Sequence, residues 1–256
     1  MYFVCSFLLI LYIIVKRNKQ IKCKIPHILT KIYIDDSMEI PKIPTEIKEC
    51  HTKWEELNPD YTVRYWSGNK CRRYLLKHFG KEYLDCFDNI NAYSGKCNFF
   101  RYCIVYNEGG WYSDWKQYPY VSLEHIINTH CYNDTEWISC FDRPTIDGIR
   151  CMQPAFFGSI PKHPILKKAI DICLYNVKNK YYPKNVLQTT GPCVLGKAYK
   201  LTNDKSKCII GEWLNFKYYF DNEPVVLHKC DKCEHSQNWE NGNNYNALFH
   251  SRKYYK

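Results

Sequence analysis

One short block of the sequence concentrates the side chains that could hold or move a charged group. Its chemically interesting members are Arg101, Asp114 and Lys116, and the pair Gly109-Gly110 separates the arginine from the other two. Ligands of open α/β sheets bind beyond the carboxyl ends of strands, which is where the pattern places Asp114. Arg101 and Asp114 can meet across the Gly-Gly turn. That contact would be either a structural ion pair or part of a binding site.

The elements that must position these residues alternate between strands and helices. Apolar spacing predicts strands over 24–34, 61–66, 111–115, 136–141 and 154–159, and helices over 45–57, 70–90 with a break at Gly80, 95–107 and 164–176. This alternation predicts an α/β fold with a mainly parallel sheet flanked by helices. No repeat or low-complexity linker divides the chain, so we expect one domain over 20–256.

The composition is that of a globular protein. The 256 residues are 45% hydrophobic and 24% charged, which excludes a disordered or collagen-like chain. The formal net charge is +10, but the basic residues are scattered and no nucleic-acid-binding motif occurs, so we expect no nucleic-acid partner. The 15 cysteines lie mostly in apolar surroundings and leave the redox compartment open.

The N-terminus carries an uninterrupted apolar run over 2–15. Positive charge follows the run, beginning with Lys16 and Arg17, and no small-residue cleavage site is present. The pattern therefore predicts a single-pass membrane anchor with a basic flank over 1–19; a buried terminal helix or strand is the alternative. The positive-inside rule favours a cytosolic domain, whereas the glycosylation sequon at Asn133 requires an ER- or Golgi-type lumen, so the side stays open.

The block around Arg101 resembles the core of family 32 glycosyltransferases, which are related to Golgi α-1,6-mannosyltransferases. The family pattern is an Asp before Arg-Tyr, an apolar helix, Gly-Gly-x-Tyr and then Asp-x-Asp. Other resemblances follow in the family's order at Ile25-Pro26-His27-Ile28, Asn58-Pro59-Asp60-Tyr61, His163-Pro164 and Thr190-Gly191-Pro192. The resemblance implies a GT-A-type, Rossmann-like fold and retaining transfer of a hexose or N-acetylhexosamine from a nucleotide sugar to a glycan or protein acceptor.

The resemblance also implies roles for individual residues. The catalytic positions are Arg101, Asp114 and Lys116. The donor-binding positions are occupied by Asn98, Tyr102, Gly109, Gly110, Tyr112, Thr190 and Gly191. The Mn²⁺ or Mg²⁺ ion of the family would draw on Asp114, together with His228 or His235.

Two residues depart from the family pattern: Lys116 replaces the second carboxylate of Asp-x-Asp, and Asn98 replaces the Asp before Arg-Tyr. In one hypothesis Lys116 supplies the positive charge that a metal would place on the diphosphate, which argues against dependence on Mn²⁺ or Mg²⁺. In the other, catalysis is lost and the domain only binds a carbohydrate or a nucleotide. The retained residues favour the active enzyme.

A second chemical pattern lies near the C-terminus, where Cys230 and Cys233 form a Cys-x-x-Cys flanked by His228 and His235. These side chains could bind structural zinc, the cysteines could form a disulfide, or both thiols could remain unbonded. A zinc-stabilised interaction protein is therefore a third functional hypothesis, which predicts zinc binding without nucleotide binding.

Overall fold

The computed structural model describes residues 23–40, 43, 45–132, 134–230 and 243–256. Within these residues one sheet contains nine strands: β1 (Ile28–Ile32), β2 (Thr62–Trp66), β3 (Gly110–Ser113), β4 (Tyr118–Pro119), β5 (Trp137–Ile146), β6 (Ile149–Ser159), β7 (Cys208–Leu214), β8 (Lys217–Phe220) and β9 (Glu223–Leu227). The same residues form eight α-helices: α1 (Thr45–Leu57), α2 (Gly68–Phe79), α3 (Lys81–Asn89), α4 (Tyr93–Glu108), α5 (Leu123–His130), α6 (Pro164–Lys178), α7 (Pro192–Lys200) and α8 (Tyr245–His250). A 3₁₀ turn spans Val186–Gln188.

The sheet is mixed, with the strand order β2-β1-β3-β6-β5-β7-β8-β9-β4. Strand β1 pairs in parallel with β2 and β3, and β5 pairs in parallel with β7, whereas the other neighbouring pairs are antiparallel. The predicted α/β class is confirmed, but the expectation of a mainly parallel sheet is wrong. The turns Asp147-Gly148 and Asp221-Asn222 have positive φ at both residues, as type I′ hairpin turns require, and hairpins impose antiparallel pairing.

The predicted helices match the observed ones better than the strands do. Helix α1 has the predicted bounds, Gly80 separates α2 from α3, and Gly109 ends α4 with a φ of 72°. Strand β1 is shorter than predicted, and β5 and β6 are longer. The prediction missed α5, α7, α8, β4 and the three strands β7–β9.

The predicted anchor over 1–19 lies outside the described residues. Among the residues that are described, no helix combines the length and the apolar character needed to cross a membrane.

Packing on both faces of the sheet explains the apolar run of β3. Trp111 packs on one face, in a core shared with Trp54 of α1 and Phe156 of β6. Tyr112 faces the other side, in a core with Phe157 and the apolar faces of α4, α6 and α7. Successive side chains alternate between the faces of a strand, so β3 is anchored from both sides and its carboxyl end has a defined position.

The Gly-Gly turn permits close packing at the start of β3. Gly110 has a φ of 93°, and a Cβ atom there would lie 2.6 Å from the carbonyl oxygen of Ile28 in β1. A Cβ at Gly109 would lie 2.8 Å from the ring of Pro161. A side chain at either position would push β3 away from its neighbours, so these glycines are explained by backbone packing.

A disulfide between Cys151 and Cys193 connects β6 to α7. Strand β6 continues into Gln153, and α7 begins next to Gly191; both of these residues line the cavity described in the next subsection. The two cysteines are 42 residues apart in sequence. The bridge therefore closes a long loop and links two parts of the cavity wall.

We predict that the double substitution Cys151→Ala and Cys193→Ala lowers the free energy of unfolding. Loss of a cross-link over a loop of this length costs about 4 kcal/mol in chain entropy, which corresponds to a decrease of roughly 8–16 °C in Tm. Differential scanning calorimetry measures the change. The control is Cys208→Ala, which removes a partly exposed free thiol. An equal Tm for the double variant and the control would show that the bridge does not form in solution.

Candidate active site

A cavity of about 830 Å³ opens at the carboxyl ends of β1 and β3. Its wall also includes one side of α4, the start of α7, the segment after β9 and the end of the chain. Among the lining residues are Tyr33, Asp35, Asp36, Tyr93, Asn98, Arg101, Tyr112, Asp114, Lys116, Gly191, His228 and Tyr245. The position agrees with the expectation that Asp114 lies at a ligand-binding edge of the sheet.

Arg101 and Asp114 meet across the Gly-Gly turn, as the sequence predicted. The guanidinium Nη2 lies 3.1 Å from Asp114 Oδ1, and the arginine side chain is 5% exposed whereas the aspartate is 37% exposed. Tyr112 donates a 2.6 Å hydrogen bond to the same Oδ1. No hydrogen bond occupies Oδ2 within the described part of the chain, so this oxygen is available to a ligand.

The Arg101 guanidinium is held on every side by protein groups. It donates to the carbonyl oxygens of Pro154 at 2.8 Å and Cys97 at 3.2 Å, and it lies 4.2 Å above the ring of Tyr112. Burial favours loss of the proton, but Asp114 together with the neighbouring Tyr112, Cys97 and Tyr102 outweighs burial, and the pKa of Arg101 is raised. The arginine is therefore a permanent cation that orients Asp114.

Lys116 supplies a second cation at the cavity wall. The residue is 9% exposed. Burial, together with the nearby positive charge of Lys229, lowers the pKa of Lys116 to about 8. The ammonium group is thus charged at neutral pH, but burial of this charge costs free energy. A negatively charged ligand would relieve that cost.

Behind the cavity wall, a buried chain of hydrogen bonds connects Lys31 to His228. Lys31 Nζ donates to Ser113 Oγ at 3.1 Å, and Ser113 Oγ lies 2.9 Å from Gln117 Oε1. Gln117 Nε2 donates to the Tyr218 hydroxyl at 3.0 Å, and that hydroxyl lies 2.8 Å from His228 Nδ1. The first four residues are fully buried, so each polar atom depends on its neighbour in the chain.

The donor directions along this chain determine the tautomer of His228. Ser113 donates to Gln117 because Gln117 Oε1 can only accept, and the alternative contact of Ser113 with the Asp114 carbonyl is longer, at 3.3 Å. The Gln117 amide then donates to Tyr218, which leaves the tyrosine proton for Nδ1 of His228. Burial lowers the pKa of His228 to about 4, so the ring is neutral and carries its proton on Nε2.

A divalent cation does not fit the donor set around Asp114. One carboxylate oxygen already pairs with Arg101, the residue two positions on is Lys116, and the Nε2 atom of His228 carries a proton rather than a free lone pair. His235 lies outside the described residues, so its predicted role as a ligand stays a prediction.

The predicted donor-binding residues separate into two groups. Asn98, Tyr112 and Gly191 line the cavity. The other four lie behind or away from it: the Tyr102 hydroxyl bonds the Thr190 carbonyl at 3.1 Å, the Thr190 hydroxyl bonds Tyr254, and Gly109 and Gly110 lie at the opposite end of β3. For these four the structure provides packing and hydrogen bonding within the protein.

The Cys-x-x-Cys pattern is only partly described. Cys230 is buried and disulfide-bonded, so its sulfur is not a thiolate ligand for zinc in this structure. Cys233 lies outside the described residues.

Comparison with known proteins supports part of the resemblance. Residues 44–133 match the family model for the glycosyltransferase sugar-binding region containing a DXD motif. The matched range includes Arg101, Asp114 and Lys116. This match supports the coarser prediction of a glycosyltransferase sugar-binding region over these residues, while assignment to family 32 stays a prediction.

Two curated relatives are similar over roughly two thirds of the chain. An uncharacterized glycosyltransferase of Acanthamoeba polyphaga mimivirus is 31% identical over 161 residues, which cover 63% of this chain and 57% of the relative. A mannosyl phosphorylinositol ceramide synthase of Saccharomyces cerevisiae is 24% identical over 181 residues, which cover 68% of this chain and 43% of the relative. The chain thus spans about half the length of these relatives. Among solved structures, the PaToxG glycosyltransferase aligns with a TM-score of 0.48 at 17% identity, covering 72% of each chain.

We predict that ¹⁵N NMR of the histidine side chains finds His228 with its proton on Nε2 at neutral pH. Nδ1 should have the chemical shift of an unprotonated nitrogen that accepts a hydrogen bond. Tyr218→Phe removes the donor and should yield a mixture of tautomers. A wild-type spectrum with the proton on Nδ1 would contradict the assigned donor directions.

Proposed function

We propose that this protein is a retaining glycosyltransferase of the family 32 type. It would transfer a hexose or an N-acetylhexosamine from a nucleotide sugar to a glycan or protein acceptor. The observation that carries the proposal is the Arg101–Asp114 pair, held at the carboxyl end of β3 in a cavity that Lys116 also lines. The family match over 44–133 supports the same conclusion.

The size and lining of the cavity suit a nucleotide sugar. A volume of about 830 Å³ lies in the upper part of the range of roughly 300–1,000 Å³ typical of small-molecule sites. Tyr33 and Tyr93 line the cavity, and their aromatic rings could stack against a nucleotide base. The cationic groups Arg101 and Lys116 line the same cavity as Asp114, and a diphosphate and its sugar would bind between them.

Each charged residue has a distinct task in the proposed reaction. Asp114 would accept hydrogen bonds from hydroxyl groups of the donor through its available Oδ2, and Arg101 would hold that carboxylate in place. Lys116 would lie against the diphosphate and stabilise the negative charge that grows on it as the glycosidic bond breaks. His228 would add an Nε2–H donor to the same anionic group.

The proposed bond changes need no side-chain base. The bond between the anomeric carbon and the diphosphate oxygen breaks, and a bond to the acceptor oxygen forms on the same face. The acceptor proton passes to the departing phosphate oxygen. The protein contributes orientation and positive charge, which lower the barrier by holding the reactants in place and by stabilising the charge that develops on the leaving group.

We propose that Lys116 takes the place of the Mn²⁺ or Mg²⁺ ion, so that transfer needs no divalent metal. Membrane attachment through residues 2–15 is a further proposal, and it rests on the sequence alone. The name of the yeast relative adds a mannosyl donor and a lipid acceptor to the compounds to be tested.

We predict that the full chain releases nucleoside diphosphate from at least one member of a panel of UDP- and GDP-sugars, and that release persists in EDTA. Coupled detection of UDP and GDP, with Mn²⁺ and with EDTA, measures it. Release only with Mn²⁺ would contradict the lysine-for-metal proposal. No release, with calorimetric binding of a donor, would instead identify a carbohydrate- or nucleotide-binding relative without activity.

We predict that Lys116→Met weakens nucleoside diphosphate binding by about 10- to 100-fold, because one charge-assisted contact contributes about 1.5–3 kcal/mol. Isothermal titration calorimetry with UDP and GDP measures the loss. Lys178→Met, at an exposed position in the last turn of α6, is the matched control for a lost positive charge. Unchanged affinity of the Lys116→Met variant would show that Lys116 does not contribute to nucleoside diphosphate binding.

The pH dependence of binding gives a second readout for the same lysine. Because the pKa of Lys116 is about 8, its charge is present at pH 7 and is lost as the pH rises through 8. Wild-type affinity should therefore fall between pH 7 and pH 9, after correction for titration of the ligand itself. Lys116→Arg keeps its charge over this range and should show a flatter profile.

A further inference from the structure

A cluster of possible metal ligands lies away from the cavity, where the end of α5 meets the turn between β8 and β9. It contains His125, His130 and Glu223, whose ligand atoms all lie within 4.8 Å of one another. His125 Nε2 lies 2.9 Å from Glu223 Oε1, and His130 Nε2 lies 3.0 Å from Glu223 Oε2. Within the described part of the chain, no other group of three such side chains has this proximity.

The backbone holds these side chains with little freedom. Both histidines belong to α5, and His130 is its last residue. Glu223 begins β9 immediately after the tight Asp221-Asn222 turn, whose residues both have positive φ. The His130 side chain is only 3% exposed and packs against the ring of Phe220. The cluster therefore has a defined geometry before any ligand binds.

The surroundings of His130 are those of a metal-binding histidine. Its Nε2 points into the cluster, and its other nitrogen, Nδ1, lies 3.0 Å from Asp221 Oδ2. Metal-ligating histidines commonly donate the second ring N–H to a carboxylate, which sets the tautomer and strengthens the ligand. Without a metal, both contacts can be hydrogen bonds only if this buried ring carries two protons.

We propose that His125, His130 and Glu223 form a zinc site, with Asp221 as the carboxylate that orients His130. Two imidazoles and one carboxylate are ligands typical of Zn²⁺, and atoms bonded to zinc at about 2.0–2.2 Å lie about 3.3–3.6 Å apart in a tetrahedron. The two histidine-to-glutamate separations, 2.9 and 3.0 Å, are a few tenths of an ångström shorter than this. All three ligand atoms lie within 4.8 Å of one another, so side-chain rotation would bring them to this arrangement. The His125 side chain is 42% exposed and Glu223 is 34% exposed, so water can take the fourth position.

The electrostatic surroundings also favour a cation. His130 lies at the carboxyl end of α5, where the last carbonyl groups carry partial negative charge. Asp221 and Glu223 add two carboxylates beside two rings that are neutral when they bind metal.

The site has a structural role that is separate from the proposed transferase reaction. Glu223 begins β9, and His228 follows the other end of that strand. Zinc would connect the β8–β9 hairpin, which carries Tyr218, to α5. This role does not depend on the identity of the cavity ligand, so the zinc proposal and the transferase proposal can fail independently.

The test is zinc binding by the full chain after removal of metal with EDTA. We expect one Zn²⁺ per chain by elemental analysis after addition of ZnCl₂ and desalting, and an increase of about 5–10 °C in Tm at saturation. His125→Gln and Glu223→Gln should lose the zinc and the Tm increase. Asp221→Asn should keep the site but weaken it by about 10- to 100-fold. His250→Gln, on α8, is the control for a lost histidine and should bind normally.

A second measurement needs no variant. Co²⁺ added to the metal-free wild type should give the visible spectrum of a four-coordinate nitrogen and oxygen site without a thiolate charge-transfer band. A thiolate band would place the metal at cysteines and overturn the proposal. Failure of the wild type to bind zinc, or equal zinc content in the wild type and Glu223→Gln, would also overturn it.

Discussion

The geometry of the site depends on one buried charge, the guanidinium of Arg101. An unpaired charge at 5% exposure would cost several kcal/mol, so every part of this group needs a partner. Its partners come from three elements: the Cys97 carbonyl from α4, Tyr112 and Asp114 from β3 and its end, and the Pro154 carbonyl from β6. The need of this guanidinium for polar partners therefore fixes how the three elements pack together, and the position of Asp114 follows from that arrangement.

The series of hydrogen bonds from Lys31 to His228 applies the same constraint on the other side of β3, since its buried polar groups also need partners. Lys31 is fully buried, and its Nζ bonds both Ser113 and the carbonyl of Asp114. Gln117 and Tyr218 carry the connection across the sheet to β8 and then to the residue after β9. Because no member can move without leaving a buried polar group unpaired, the stability of the core and the orientation of His228 are linked.

The parts of the site that are close in sequence were predictable, and those formed by distant residues were not. Helix α4, the Gly-Gly turn and β3 follow from local patterns, and they bring Arg101 to Asp114. The hairpins are absent from the predicted fold although Asp147-Gly148 is a local type I′ signal, because the alternation of strands and helices favours parallel pairing. Gln117 and Tyr218 are 101 residues apart, and no local pattern indicates that their side chains meet. His130 and Glu223, 93 residues apart, meet in the same unpredictable way.

The balance of charge in the cavity explains why a lysine can occupy the second position of Asp-x-Asp. Three carboxylates (Asp35, Asp36 and Asp114) and three cations (Arg101, Lys116 and Lys229) line the cavity, so their formal charges balance. Burial makes the charge of Lys116 costly, as its lowered pKa reflects. Under the proposal, a diphosphate would bring negative charge to Lys116, whereas a divalent cation would add positive charge beside it. A carboxylate in place of Lys116 would leave the lining with a net negative charge, and the wall would then need a metal before it could accept an anion. Under the proposal, Lys116 supplies that positive charge instead.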